Sequence, residues 1–204
     1  MSKVVADISM SLDGFVTGPG ADPEHGLGEG ADGLHTWALD GDATDRDVLA
    51  SATEATGVVL MGRRLFDVVD GPLGWSEEMG YGAGLAAAPP VLVVTRNPPA
   101  AVRLGERFSF VVDGVRSAVT KARELAGERD VVIMGGGQLI RGALDAGVVD
   151  ELRLHLAPLI LGSGTPLFGA GAVPRGLRQI HVRPSAHATH LTYRVDRARP
   201  VCQP

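Results

Sequence analysis

Short apolar runs alternate with amphipathic stretches along most of this chain, and the pattern predicts strands alternating with helices. Lys3 to Met10 is dense in Val and Ile and predicts a strand, with Asp7 as its odd member. Gly18 to Gly33, rich in Gly, Pro and acidic residues, predicts a surface loop. Thr44 opens a helix to about Thr56, with Asp47 three residues on and Val48, Leu49, Ala52 and Ala55 on one face; Gly57 is placed to end it. Val58 to Met61 is a continuous apolar strand that runs into Gly62-Arg63-Arg64. Gly71 to Pro90 is a second long loop, followed by strands at Val91 to Val94 and Phe108 to Val112. Asp113 caps a helix through Ala126 that turns Ala118, Val119, Ala122 and Leu125 inward. Val131 to Met134 is a buried-type strand, and a helix follows to about Ala146 before Gly147. Glu151 to Ala157 sets Leu152, Leu154 and Leu156 against polar neighbours. Leu177 to Val182 and His187 to Val195 close the chain as an antiparallel pair.

This order implies an α/β fold: a mostly parallel sheet with antiparallel strands at its C-terminal end. With 204 residues, no repeat and no linker, the expectation is a single domain with residues from about 197 to 204 as a loose tail. A hydrophobic fraction of 45% and a net charge of -5 fit a globular protein and give no electrostatic reason for a nucleic-acid or anionic-membrane partner. The single cysteine, Cys202, excludes a disulfide framework within one chain and favours a reducing, cytoplasmic setting. No span or signal pattern is present, and the six histidines show no clear metal-ligand spacing.

The most informative segment is Val131-Val132-Ile133-Met134-Gly135-Gly136-Gly137-Gln138-Leu139-Ile140. A strand runs into three glycines and then a helix, so uncovered backbone N–H groups and a helix start meet at one turn, which suits a phosphate or pyrophosphate. A tight connection with no ligand would use the same residues. Two further strand ends, at Gly62-Arg63-Arg64 and Thr95-Arg96, carry arginines. Ligands bind outside the carboxyl ends of parallel strands, and guanidinium groups bind phosphates bidentately, so together these ends suit a dinucleotide; arginines beside a ribose 2′-phosphate favour NADP over NAD. No G-x-G-x-x-G follows the first strand, no Walker motif exists and the zinc deaminase signature is absent.

Asp7 is the candidate catalytic residue. A carboxylate in an apolar strand has its pKa raised by burial unless it is paired, and at a pocket mouth it could give a proton to substrate. The alternative is a structural Asp satisfied by backbone N–H groups or an arginine. Asp13-Gly14 is a turn signal just after this strand and forms either a loop over the nicotinamide or a plain surface turn. Trp37 and Trp75, one in each long loop, are candidate walls of a substrate pocket for a planar ring, or packing residues.

The ordered set Met10-Ser11-Leu12-Asp13-Gly14-Phe15, Met61-Gly62-Arg63, Gly74-Trp75, Val91 to Thr95, Ile133 to Gln138 and Asp150-Glu151-Leu152-x-Leu154-x-x-x-Pro158-x-x-Leu161-Gly162-x-Gly164-x-x-Leu167-Phe168 resembles the dihydrofolate reductase-like family that includes the C-terminal reductase domain of bacterial riboflavin biosynthesis. The resemblance implies a central sheet of about eight strands with helices on both faces, and NADPH as hydride donor. It implies Gly62, Arg63 and Arg64 on the adenosine side, with Thr95 and Arg96 nearby. It places Gly135, Gly136, Gly137, Gln138 and Leu139 on the pyrophosphate, and Asp13 and Gly14 beside the nicotinamide. It also implies a homodimer. One departure concerns the substrate: a dihydrofolate reductase has a carboxylate on its first long helix facing the pterin, whereas Asp45, Asp47 and Glu54 here stand at unmatched positions. The expected function is an NADPH-dependent reductase for a small heterocyclic (pterin- or pyrimidine-like) or carbonyl/imine substrate. The alternatives are a ribosylaminopyrimidine phosphate reductase, with Arg141, Arg175 and Arg178 as candidates for the substrate phosphate, and an NADP(H)-binding protein without turnover.

Overall fold

A computed structural model describes residues 2–76, 78–85, 87–169 and 172–196; Cys202 and the expected tail lie outside them. The central sheet has eight strands: β1 (Val4–Ser11), β3 (Thr56–Gly62), β4 (Val91–Val94), β5 (Phe108–Val111), β6 (Asp130–Gly135), β7 (Glu151–Ala157), β9 (Leu177–Pro184) and β10 (Thr189–Val195). Their spatial order is β5-β4-β3-β6-β1-β7-β10-β9. All pairs from β5 to β7 are parallel, and β10 and β9 join antiparallel to their neighbours. This is the expected mostly parallel sheet with an antiparallel C-terminal hairpin. A small second sheet, β2 (Phe15–Thr17) with β8 (Thr165–Pro166), lies outside the sequence pattern because each strand is too short to show a period.

The pleat divides the sheet's residues between two layers. On one side Val4, Ala6, Ile8, Leu60, Leu92 and Ile133 meet α4 (Gly114–Ala126) and α5 (Gly137–Asp145) through Ala118, Val119, Ala122, Ile140 and Ala143. Leu125, expected inward on α4, is 53% exposed, and Ala126 is buried in its stead. The opposite face carries Val59, Met61, Val91 and Val93 against Phe66 and Val69 of α3 (Arg63–Val69). Phe66 is 1% exposed and meets Phe108 and Phe110 edge-on, so its truncation to Ala would cost about 3–5 kcal/mol.

The remaining helices are α1 (Thr36–Leu39) and α2 (Ala43–Ala55). The cap of α2 is Asp42, not Thr44: its carboxylate accepts from the Thr44 and Asp45 N–H groups at 2.7 and 3.1 Å, while the Asp45 carboxylate accepts from the Asp42 N–H at 2.9 Å. Two aspartates thus form a capping box that a search for Ser/Thr followed by Glu overlooks. Gly57 does not end the helix; it lies inside β3, which begins at Thr56. Asp113 stands at the α4 N-cap without a side-chain bond. No helix among the described residues is long and apolar enough to cross a membrane.

Candidate functional site

Parallel pairing brings the carboxyl ends of β1, β3, β4 and β6 side by side, and the turns after them form one mouth. Gly62 ends β3 and Gly136 follows β6. A Cβ on Gly62 would lie 3.5 Å from Leu139 Cβ and 3.7 Å from the Gly136 nitrogen, so two of the expected cofactor segments touch. Gly136 is the N-cap of α5 and offers no side-chain cap, and a Cβ there would meet nothing within 4 Å. The Leu139 N–H donates to the Gly136 carbonyl at 3.0 Å, which leaves the Gly137 and Gln138 N–H groups at the start of α5 with the positive end of the helix dipole behind them. Gly135 and Gly137 are buried in the turn; the Gly135-Gly136 peptide bond is cis. Gln138 is exposed and Leu139 half-buried on the first turn.

The arginines at this mouth differ. Arg63 donates from Nε to Asp67 Oδ1 at 2.7 Å and from Nη1 to the Asn97 carbonyl, so it fastens α3 to the turn after β4. Thr95 shapes that same turn, its hydroxyl accepting from the Asn97 N–H at 3.2 Å. Arg64 and Arg96 are exposed, and no hydrogen bond or ion pair to another described residue engages either one.

Beside β1, Asp13 holds a loop together. It accepts from Ser11 Oγ at 2.6 Å and from the Leu161 and Gly162 N–H groups at 3.1 and 2.6 Å. The Ser11 bond, with these amides, keeps its carboxyl below the usual range. Gly14 follows at φ +92°, a backbone state that a side chain would strain, with open space where a Cβ would stand. Its carbonyl accepts from the Leu167 N–H at 2.8 Å, which ties the β1 turn to the segment after β7.

The two tryptophans part company. Trp37 is buried on the sheet face under α2, with Nε1 donating to Ser9 Oγ at 2.8 Å and its ring stacked on His155 at 3.9 Å. Trp75 stacks toward Phe108, the first residue of β5, and the Arg107 guanidinium sits 4.7 Å over its ring. The loop that carries Trp75 returns to the start of β4, so it lies at the amino ends of the strands. Chain direction thus corrects the expectation of a shared pocket: Trp75 packs against the core at the end opposite the glycine turn.

Asp7 also departs from its expected state. Its side chain is 14% exposed; Oδ1 lies 2.9 Å from His155 Nε2, and Oδ2 lies 4.0 Å from Arg153 Nη1. Burial pushes its carboxyl up, but the charge and hydrogen bond of His155 and the charge of Arg153 outweigh burial and hold it below the ordinary value. An ionised, paired carboxylate is no proton donor, so the raised pKa expected of an unpaired aspartate is not what this fold produces. His155 in turn faces His190, Nδ1 to Nδ1, at 2.7 Å, and His190 Nε2 lies 2.8 Å from Asp45 Oδ1. Sequence reasoning missed these partners. Arg153 and His155 alternate with leucines and read as solvent-facing, whereas the turn at Asp32–His35 and the Trp37 ring lie over that face; Asp7 inside an apolar strand was the signal that something must pair with it.

Arg141 and Arg175 both line a cavity of about 250 Å³ beside α5, with Leu152, Phe168 and Leu177 among its walls. Both are engaged: Arg141 Nη1 donates to the Pro166 and Leu167 carbonyls at 2.6 and 3.0 Å, and Arg175 Nη2 to Asp145 at 3.0 Å. Arg178 lies on β9 and is not among the cavity walls.

Comparison with known proteins agrees with this architecture. The chain is 27% identical over 172 residues to the uncharacterised protein YyaP of Bacillus subtilis, covering 81% of this chain and 80% of that one. Its fold matches a diaminohydroxyphosphoribosylaminopyrimidine deaminase/5-amino-6-(5-phosphoribosylamino)uracil reductase of Thermotoga maritima, with a TM-score of 0.64 and 15% identity over 95% of this chain and 56% of that one. It also matches dihydrofolate reductase of Enterococcus faecalis complexed with NADP(H), with a TM-score of 0.59 and 15% identity over 95% and 96%. The fold is therefore dihydrofolate reductase-like and of reductase type. Residues 2–191 match the model of the RibD C-terminal domain, and the chain belongs to that family.

Proposed function

We propose that this protein is an NADPH-dependent reductase that transfers hydride to a small heterocyclic or carbonyl/imine substrate. The observation that carries the reading is the convergence of Gly62, Gly136 and Leu139 at the uncapped start of α5, with Arg64 and Arg96 exposed and unengaged on the adjoining turns. These residues fit the cofactor chemically: open backbone N–H groups for a pyrophosphate and two free guanidinium groups for a 2′-phosphate. When bound, NADPH supplies the hydride. The chain's own residues would orient it: the α5 turn takes the diphosphate, Arg64 and Arg96 take the adenosine end, and the loop fastened by Asp13 covers the side near β1. Arg63 and Thr95 act one step removed by fixing the turns.

The Asp45 carboxylate is wholly buried and already bonded to the Asp42 N–H and His190. It is not free to pair with the aminopyrimidine edge of a folate, so we expect dihydrofolate to be a poor substrate. The engagement of Arg141 and Arg175 likewise gives a ribosyl phosphate no ready cation in that cavity. The test is a fluorescence titration with NADPH and NADH, followed by cofactor oxidation with dihydrofolate, pterins and pyrimidines. Tighter binding of NADPH and oxidation by a non-folate member of the panel are the expected results. Failure to bind either dinucleotide would overturn the reading, and binding with no oxidation by any panel member would leave a nucleotide-binding protein without turnover.

A further inference from the structure

Three hydrogen bonds in a row join four ionisable side chains beneath α2. Asp7 Oδ1 meets His155 Nε2 at 2.9 Å, His155 Nδ1 meets His190 Nδ1 at 2.7 Å, and His190 Nε2 meets Asp45 Oδ1 at 2.8 Å. Each contact needs one hydrogen between its two atoms. Two neutral imidazoles bring two, and ionised carboxylates bring none. With only two hydrogens, either both Nδ1 lone pairs face each other at 2.7 Å or a ring lone pair faces a carboxylate at under 3 Å. Both arrangements are repulsive in a site where His155 is 4%, His190 5% and Asp45 0% exposed. The two Nδ1 atoms are also too close to share a metal, since ligands about 2.0–2.1 Å from a tetrahedral zinc stand farther apart.

We propose that Asp7, His155, His190 and Asp45 form a proton-locked clasp: one proton beyond two neutral imidazoles is shared between the histidines, fastens α2 and Trp37 to the sheet, and opens the clasp when it leaves. The clasp links β1, β7, β10 and the first turn of α2, so it ties together segments that no single strand pairing joins. Trp37 covers it, stacked on His155 at 3.9 Å and edge-on to His190 at 5.2 Å, and is held by its bond to Ser9. An indole face over an imidazolium is a favourable cation–π arrangement.

The surroundings suit an added positive charge. β1 contributes Asp7, β6 contributes Asp130, and β7 contributes Glu151 and Arg153, with Arg153 3.6 Å from Glu151 and 3.9 Å from Asp130. Lys3 binds Glu151 at 3.0 Å. From α2 come Asp45 and Asp47, the latter paired at 2.7 Å with Arg183 of β9. Asp42 caps the helix and is bonded to the Ala186 N–H, with Ser185 beside Asp45 and His187 near Asp42. Tyr81, bonded to Thr56, stays protonated because burial and then the Asp7 charge push its hydroxyl up. Asp45 is held below the ordinary carboxylate value: burial raises it, but the nearby Ser185 hydroxyl and the bonds from the Asp42 N–H and His190 prevail. Burial lowers the basicity of His190 and the charge of His155 adds to that, while its bond to Asp45 works the other way. His35, pushed down to about 4 by burial and then by His155, adds no competing charge at neutral pH.

The clasp does not depend on the reductase reading, and its test needs no cofactor. In histidine-labelled wild-type protein, nitrogen NMR at neutral pH should find three ring N–H groups on the His155–His190 pair, one of them a far-downfield proton between the two Nδ1 atoms. Finding only two overturns the proposal. In a Trp75→Phe background, Trp37 fluorescence should change in a one-proton step above neutral pH, as the proton held at neutral pH leaves. Asp7→Asn and Asp45→Asn should each lower the midpoint of that step by about 1–3 units, because each removes a charge that retains the proton. A step that is absent, that ignores both variants, or that persists in His190→Gln overturns it. The labelled wild-type measurement stands alone should the Trp75 background fail to fold.

Discussion

At Gly136 and Gly14 the protein presents backbone to open space, and the exposed cations of the adjoining turns, Arg64 and Arg96, are engaged by no other described residue. Beneath α2 the opposite holds: Asp7, His155, His190, Asp45, Trp37 and Ser9 bring their side chains together, and each is bonded to another member of the group. Both regions sit on the same sheet. The first is shaped to receive charge from outside, so it leaves donors unmet. The second has taken its charges out of water, so every donor must find an acceptor at home. A region of unmet donors tolerates substitution and loses affinity; a closed network tolerates little and loses stability.

The largest expected effect tests the closed side of this contrast. His155→Leu removes the middle of the chain of hydrogen bonds and leaves Asp7 and His190 without that partner. It should cost about 3–5 kcal/mol in a denaturant titration; a loss below about 1 kcal/mol would erase the difference between the regions. Next is His35, whose folded value near 4 lies below its ordinary 6.5. A depressed value means a stability contribution that is complete above 6.5 and lost as the pH falls from there toward about 4. At about 1.4 kcal/mol per unit, reduced for partial exposure, this should amount to about 2 kcal/mol, and His35→Gln should flatten stability across that window. An unchanged slope would remove His35 from the buried side.

On the open side, Arg64→Ala and Arg96→Ala should each weaken NADPH by about tenfold, leave NADH unchanged and spare the melting temperature. Equal losses for both dinucleotides would move these arginines off the 2′-phosphate. The smallest effect belongs to Trp75→Phe, which should lower stability by about 1 kcal/mol without changing NADPH affinity. Weakened NADPH binding in that variant would return Trp75 to the mouth.

Much of the mouth was legible along the chain because its parts are local. Val131 to Met134 must be a buried strand, three glycines must break it, and Gln138 onward must start a helix; the turn is written in consecutive residues. Gly62-Arg63 and Thr95-Arg96 follow strands in the same way, and parallel pairing alone brings those ends together. The clasp was not legible, since its members are residues 7, 45, 155 and 190, and nothing local relates them. Asp7 advertised a need for a partner but not which one. The leucine alternation in β7 suggested one wet face, and only the docking of the Asp32–His35 turn and Trp37 made that face dry. Trp37 and Trp75 looked equivalent in two similar loops until chain direction sent one to the carboxyl face and the other to the amino end.

The sequence by itself determined the strand order along the chain, the mostly parallel class and the backbone turns at the mouth, because those depend on periodicity and on the conformations glycine allows. The tertiary structure alone decided which arginines are free, whether Asp7 is charged and what His155 and His190 do. Charge state and hydrogen bonding depend on which groups share a buried volume, and that is fixed only when distant strands and helices pack.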